Sequence, residues 1–249
     1  MMLVLSLFPG IGLLDRAFEE EGFCIVRGPD LLWGGDIRSF HPPAGKFDGV
    51  IGGSPCQAFT ALAGLIKHTH GKLAPNLVPD YERIVREAQP AWFLHENVRA
   101  APVPEVAGYA VDPRLVQGRW FGMEQSREHR MTFGTRTGLR PYLDISPFAE
   151  ALDNPAWAPR VLANGGYSPK LWKDGKPNKK RWDLHCRHRS AAYFEQAKRL
   201  QGLPESFDLP GFTVEAKIRV MGDAVPLPLG RAVAKAVKRA LALPREDAA

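Results

Sequence analysis

The first ~130 residues alternate short apolar runs with amphipathic helical patterns, and the runs end in glycines or polar tips. That rhythm commits the chain to an α/β sheet, because near-continuous apolar strands need cover on both faces and parallel strands need helical crossovers. "MLVLSLF" reads as a buried first strand. After a glycine turn, Leu13, Leu14, Ala17 and Phe18 share one helical face before Gly22 stops the helix. "FCIV" and "FDGVIGG" read as further strands. "PDYERIVREAQP" predicts a helix with Tyr81, Ile84, Val85 and Ala88 on one stripe and Pro90 at its end, followed by the buried strand "AWFLHENV". Order returns late in the chain. "YFEQAKRLQGLP" is helical up to Gly202, and "LPLGRAVAKAVKRALAL" is a closing helix with Val233, Ala236, Val237, Ala240 and Leu241 facing inward and Lys235, Lys238 and Arg239 largely opposite.

Between these ordered parts lies a segment of different character. From Arg136 to Arg189 the chain is rich in Pro, Gly, Trp, Lys and Arg with weak periodicity. The net charge of the chain is +6, and this window of 54 residues, with 11 basic and 5 acidic side chains, holds all of the excess. A localised basic patch is the electrostatic footprint of nucleic-acid binding, and a solvated basic surface is the plainer alternative. The chain accordingly divides into residues 1–135, a small segment 136–205, and a return over 206–249. The apolar N-terminus lacks a basic start and a small-residue cleavage site, and Pro9, Gly10 and Gly12 interrupt it, so it reads as a strand and turn rather than a secretion signal. No run is long enough to span a membrane, and three widely spaced cysteines imply a reduced, cytosolic chain without a disulfide framework.

Five stretches could carry chemistry. "LFPGIG" places glycines after the first strand, where a cofactor can approach the backbone at a helix N-terminus, although Asp15 spoils a dinucleotide-binding fingerprint and a purely structural turn reads equally well. "GGSPCQAFT" places Cys56 at a strand's carboxyl end, where ligands bind in open α/β sheets. The thiol there is either a nucleophile or a small buried hydrophobe, and its Gly, Pro and Gln neighbours favour a shaped loop over a packed core. "FLHENV" puts Glu96 and Asn97 at another strand end. There a half-buried carboxyl with a raised pKa could donate a proton, or either residue could cap a helix. In "GMEQSREHRMTFG", Gln125, Arg127 and Arg130 precede a short apolar strand. The arginines offer guanidinium forks to an oxygen, or form a solvated charge run. In "MGDAVPLPLG", residues 222–226 form a turn, with Asp223 as an N-cap of the last helix. His185, Cys186 and His188 match no common zinc spacing, so no metal is expected.

Taken in order, "LFPGIG", "GGDI", "GGSPCQAFT", "HENV", "QSREHR", "RLQGLP" and "GDAVP" resemble the C5-cytosine DNA methyltransferase family over nearly the whole chain outside 136–190. The resemblance implies a Rossmann-like S-adenosylmethionine-dependent methyltransferase sheet with a small irregular target-recognition domain in the basic window. It implies that Cys56 attacks C6 of a flipped-out cytosine. Glu96 then holds the N3/N4 edge, and Arg127 contacts O2 and supports the cysteine loop. Phe8, Gly10, Ile11 and Gly12 match the methyl-donor turn, Asp36 and Ile37 the segment beside the adenine, and Asp223, Ala224 and Val225 the closing donor turn. Pro55 lies at the junction of donor and target, and Asp30 is the candidate acid for the donor ribose. Gln57, Lys179, Lys180, Arg181, Arg187 and Arg189 are expected on the nucleic acid, with Lys179, Lys180 and Arg181 mostly on phosphates. The implied cofactor is S-adenosyl-L-methionine, and the implied partner is double-stranded DNA carrying a short specific site. A cytoplasmic, prokaryotic or phage-type monomer follows, with a restriction endonuclease as a candidate associate. An RNA cytosine methyltransferase and a catalytically retired DNA-binding module are the alternatives. The chain departs from the family pattern at Ser6 (usually aspartate), Leu13 (glycine), Ser54 (proline), His129 (arginine), Gln196 (glutamate) and Asp223 (asparagine).

Overall fold

The computed structural model describes residues 1–59, 75–125, 127–144, 172–173, 176–177 and 190–242. Six strands form one sheet in the order β2-β1-β3-β4-β6-β5. They are β1 (Leu3–Leu7), β2 (Cys24–Arg27), β3 (Gly49–Gly52), β4 (Trp92–Asn97), β5 (Ala110–Gln117) and β6 (Glu128–Thr135). The first four are parallel, whereas β6 runs antiparallel to both β4 and β5. Among the described residues the α-helices are α1 (Leu13–Glu20), α2 (Val78–Ala88), α3 (Ala191–Leu200), α4 (Val214–Asp223) and α5 (Leu227–Ala242). A separate two-stranded ladder pairs β7 (Trp172–Lys173) with β8 (Lys176–Pro177).

Period-two alternation splits the core into two layers. Val4, Ile51, Trp92 and Leu94 point to one face and pack with α1, α3, α4 and α5. Leu5, Leu7, Val50 and Phe93 point to the other and pack against Tyr81, Ile84, Val85 and Ala88 of α2. The inward stripe expected for α2 is therefore the one the fold buries. The stripe of α5 is buried too, through Val233, Ala236, Val237 and Ala240. Tyr193, Phe194, Ala197 and Leu200 make α3 part of the same core as the sheet.

Besides the β7–β8 ladder, two elements escaped the sequence reading. Strand β5 carries Pro113 and several charges, which is tolerated because it pairs only with β6 and forms the sheet edge. Helix α4 ends in Met221, Gly222 and Asp223, so its tail resembles a turn. Its start was marked by Thr213, whose hydroxyl accepts from the Ala216 N–H as an N-cap. Asp223 is therefore the last residue of α4 and not an N-cap of the final helix. Pro226 explains the difference, since its ring forces the residue before it into extended backbone and delays α5 until Leu227. Arg130 does not precede the apolar strand either. It lies within β6, only 7% exposed, and its guanidinium donates to the carbonyls of Arg99, Ala101 and Pro102. A solvated charge run would leave it open to water.

Candidate active site at the switch point of the sheet

The chain leaves β1 to one side for β2 and returns on the other side for β3, and the helices that follow β1 and β3 pack on opposite faces of the sheet. A crevice at such a switch point is where open α/β sheets bind ligands. A cavity of about 640 Å³ sits there, within the range that holds a cofactor-sized molecule. Phe8, Gly10, Ile11, Asp30, Asp36, Ile37, Pro55, Cys56, Gln57, Glu96, Arg127, Asp223, Ala224 and Val225 all line it. Residues from seven separate stretches thus meet in one place. Gly12 does not line it. Its φ of 76° turns the chain into α1, and an added Cβ would meet the Arg27 guanidinium at 2.9 Å. Lys179, Lys180, Arg181, Arg187 and Arg189, like His185, Cys186 and His188, lie outside the described residues. Among the described residues no cluster of His, Cys, Asp and Glu could hold a metal, and no helix is long and apolar enough to cross a membrane.

One wall of the cavity is built on the turn after β1. Phe8 adopts a left-handed φ of 54°, uncommon for a non-glycine residue, and its N–H donates to the Pro29 carbonyl. Asp30 accepts from the Gly10 N–H at 2.8 Å and from the Leu32 N–H at 2.7 Å, tying the glycine turn to the segment after β2. Beneath them, the Ser6 hydroxyl donates to Asp15 at 2.5 Å, and Arg27 Nε donates to the other Asp15 oxygen at 2.9 Å. Two of the unusual positions thus belong together. Ser6 on β1 and Asp15 on α1 form one buried pair, so the carboxylate absent from the strand is supplied by the helix. Asp36 turns its side chain to Arg38 and to the backbone, which holds its carboxyl at about 2.

The other wall carries the thiol and the carboxyl. Cys56 follows β3, and burial, then the charges of Glu96 and Asp223, push its thiol up to about 11 against the opposing pull of Arg127. Glu96 is on the tip of β4. An added Cβ at Gly53 would stand 2.6 Å from Glu96 Oε2, so only glycine lets the cysteine loop lie this close to the carboxyl. Glu96 Oε1 lies 2.7 Å from His129 Nδ1. Burial raises the carboxyl's pKa, but the hydrogen bond from His129 and the charge of Arg127 outweigh it and leave the value below the ordinary one. The raised pKa expected for Glu96 is thereby reversed in this state, and the carboxyl is ionised at neutral pH. Neither Glu96 nor Asn97 caps a helix, since both end β4.

Ser54 now has a physical account. Its hydroxyl is buried, lies 2.9 Å from His95 Nε2 and accepts from Asn97 Nδ2 at 2.9 Å, while Asn97 also donates to the Ser54 carbonyl. Ser54 is the clasp between the cysteine loop and the β4 tip, a task that a proline lacks the hydroxyl to perform. Ser54→Ala removes both bonds of the buried hydroxyl, leaving His95 Nε2 without a partner, and should cost about 2 kcal/mol of stability, read as a lower midpoint in urea unfolding.

A third set of contacts fixes the closing turn. Arg127 Nη1 donates to the carbonyls of Gly222 at 2.5 Å and Ala224 at 3.5 Å, which flank Asp223. Gln125 donates to the Leu200 carbonyl and to Gln201 Oε1, and Gln201 Nε2 donates to the Met221 and Ala224 carbonyls. The glutamines of "QSREHR" and "RLQGLP" therefore link the ends of α3 and α4. Sequence reasoning gave neither of them this task. Asp223 is open to the cavity, and burial by the walls, partly offset by Arg127 and Arg219, pushes its carboxyl up to about 6. A carboxyl with a raised folded pKa favours the folded state below its unfolded value near 3.8, and that advantage disappears as pH rises through about 6. Asp223→Asn should therefore be more stable than the parent at pH 8, by about 1 kcal/mol after allowing for solvent screening. The gap should close in thermal melts as pH falls towards 4.

An open sheet with a thiol, a carboxyl and a guanidinium around a cofactor-sized crevice defines a group-transfer type of site. The chain belongs to the C-5 cytosine-specific DNA methylase family, whose model matches residues 34–154 and 167–239. It is 33% identical to the Type II methyltransferase M.FnuDI of Fusobacterium nucleatum over 59% of its length, and spans about half (49%) of that relative. It is 24% identical to the Type II methyltransferase M.NgoPII of Neisseria gonorrhoeae, with 96% of each chain covered. The fold is shared with S. pombe Dnmt2 methyltransferase, at a TM-score of 0.59 and 14% identity over 98% of this chain and 100% of the other. It is also shared with the Entamoeba histolytica methyltransferase EhMeth, at 0.59 and 14% over 98% and 99%.

Proposed function

We propose that the protein transfers a methyl group from S-adenosylmethionine to C5 of a flipped cytosine in a short DNA site, with Cys56 as nucleophile. The observation that carries this reading is the convergence of Cys56, Glu96 and Arg127 with the donor-side turn on one cavity. The cavity's volume and its left-handed Phe8–Gly10 turn suit the donor, which supplies an electrophilic methyl when bound. Phe8, Gly10, Ile11, Asp36, Ile37, Ala224 and Val225 would hold it, with Asp30 at the ribose and Pro55 beneath the transferred group. A base inside a duplex is out of reach of this crevice, so the cytosine must be extruded at a cost of a few kcal/mol.

Cys56 sulfur then bonds to C6 while N3 takes a proton from the Glu96 carboxyl, and Arg127 steadies the O2 side and the loop. C5 gains the methyl, a base removes the C5 proton, sulfur leaves C6, and N3 returns its proton to Glu96. The resting site is a thiol beside a carboxylate, whereas the reaction needs a thiolate beside a carboxylic acid. The two titrations are coupled. Docking of a base over Glu96 expels water and raises the carboxyl's pKa, and a neutral Glu96 removes the largest charge holding the Cys56 thiol up. The proton lost at sulfur balances the one gained at the carboxyl.

Lys179, Lys180, Arg181, Arg187 and Arg189 would bind duplex DNA, with Gln57 entering the space left by the base. Because α3 belongs to the core, target recognition falls within 136–189 of the 136–205 segment. A cytoplasmic monomer with an associated restriction endonuclease is part of this proposal, which the similarity to Type II methyltransferases supports only as to methyl transfer. Tritiated donor, offered with duplex DNA and with transfer RNA in parallel, tests the reading. Label should enter DNA. Label in RNA alone would overturn the substrate, and absence of donor binding in calorimetry with DNA affinity retained would identify a retired module.

A further inference from the structure

His129 occupies the place of a usual arginine in "QSREHR", and its surroundings define what it does there. Its ring is 2% exposed, on β6, with Val116 of β5 as its ladder partner. Nδ1 meets Glu96 Oε1 at 2.7 Å, while Nε2 is buried with no hydrogen-bond partner. An imidazolium would bury both a charge and an unanswered N–H at Nε2. The Nε2–H tautomer would bury the same unanswered donor. Only the neutral ring with its proton on Nδ1 answers Glu96 and leaves just a lone pair at Nε2. The charged groups acting on the ring are Glu96 from β4 and Arg127 and Glu128 from the β6 segment, while His95, Arg130, Cys56 and Asp223 act on the ring through their coupling to Glu96. Burial and the Arg127 charge oppose protonation of the ring, against the pull of Glu96 and Glu128.

We infer that His129 is a positioning residue that fixes Glu96 through an uncharged Nδ1–H bond. This anchors Oε1 and leaves Oε2, the oxygen beside Gly53, to meet the cytosine edge. The inference rests on the methyltransferase reading for its consequence, but not for its geometry. A neutral partner orients the carboxyl without adding a permanent cation, so the proton that Glu96 must acquire when the base docks is not opposed by a fixed positive charge at that oxygen.

The first test uses no substrate. In the free protein, ¹⁵N-imidazole spectra should show His129 protonated at Nδ1 and bare at Nε2 across neutral pH. The ¹³C-labelled Glu96 carboxyl should titrate at a higher pH in His129→Ala than in the parent, because the lost bond had lowered it. In the second test, His129→Ala should reduce kcat for DNA methylation at least about tenfold with the KM for donor unchanged, since one charge-assisted hydrogen bond orients the group. His129→Asn, which restores an uncharged N–H, should recover much of that loss. An imidazolium at neutral pH, an unmoved Glu96 titration, or a His129→Ala defect confined to donor KM would each overturn the inference. Failure of the parent protein to methylate DNA would instead overturn the function, leaving the spectroscopic result standing on its own.

Discussion

Cys56→Ala should lower methyl transfer on the order of 10⁴-fold or more, because Cys56 is the one thiol among the described residues of the cavity. The loss should fall on kcat. The donor-side turn, built from Phe8, Gly10 and Asp30, makes no hydrogen bond to Cys56, so donor affinity in calorimetry should stay within a few-fold of the parent. The substitution is also mild for folding, since it removes one half-buried sulfur atom. The thiol's high pKa adds a second handle. Alkylation of Cys56 in the free protein should be slow at pH 7 and accelerate as pH approaches about 11.

Gly53→Ala should be the next most damaging change, with kcat reduced about 100-fold, the scale of a misplacement near one ångström at a reacting centre. Its Cβ would stand 2.6 Å from Glu96 Oε2, and the carboxyl cannot retreat freely because Oε1 is held by His129. Either the cysteine loop or the β4 tip must move, and Ser54 clasps the two together. Steady-state kinetics beside a thermal melt separates the effects. The melt should shift little, whereas a collapse of stability with kcat preserved in the folded fraction would contradict the assignment.

The strands and their cavity-lining tips were readable because each apolar run stops at a residue that does not belong in a core. Cys56 and Glu96 stand out for that reason, and the switch-point crevice brings them together. What was hidden depends on pairing between distant segments. Nothing near Ser54 announces His95 and Asn97 about 40 residues on, and nothing near Gln125 announces Gln201. The sign of the Glu96 shift was hidden by the same cause. Burial alone predicts a raised pKa, and the partner that reverses it sits 33 positions away on an antiparallel strand. Helix α4 was missed because its last residues, Gly222 and Asp223, look like a turn until Arg127 is seen holding the flanking carbonyls.

Bisulfite sequencing of DNA from cells expressing the protein, with Cys56→Ala expressed in parallel, tests the central claim most directly. Protected cytosines should appear in one short sequence context in the parent and vanish in the variant. Equal protection in both, or none in either, would contradict the account.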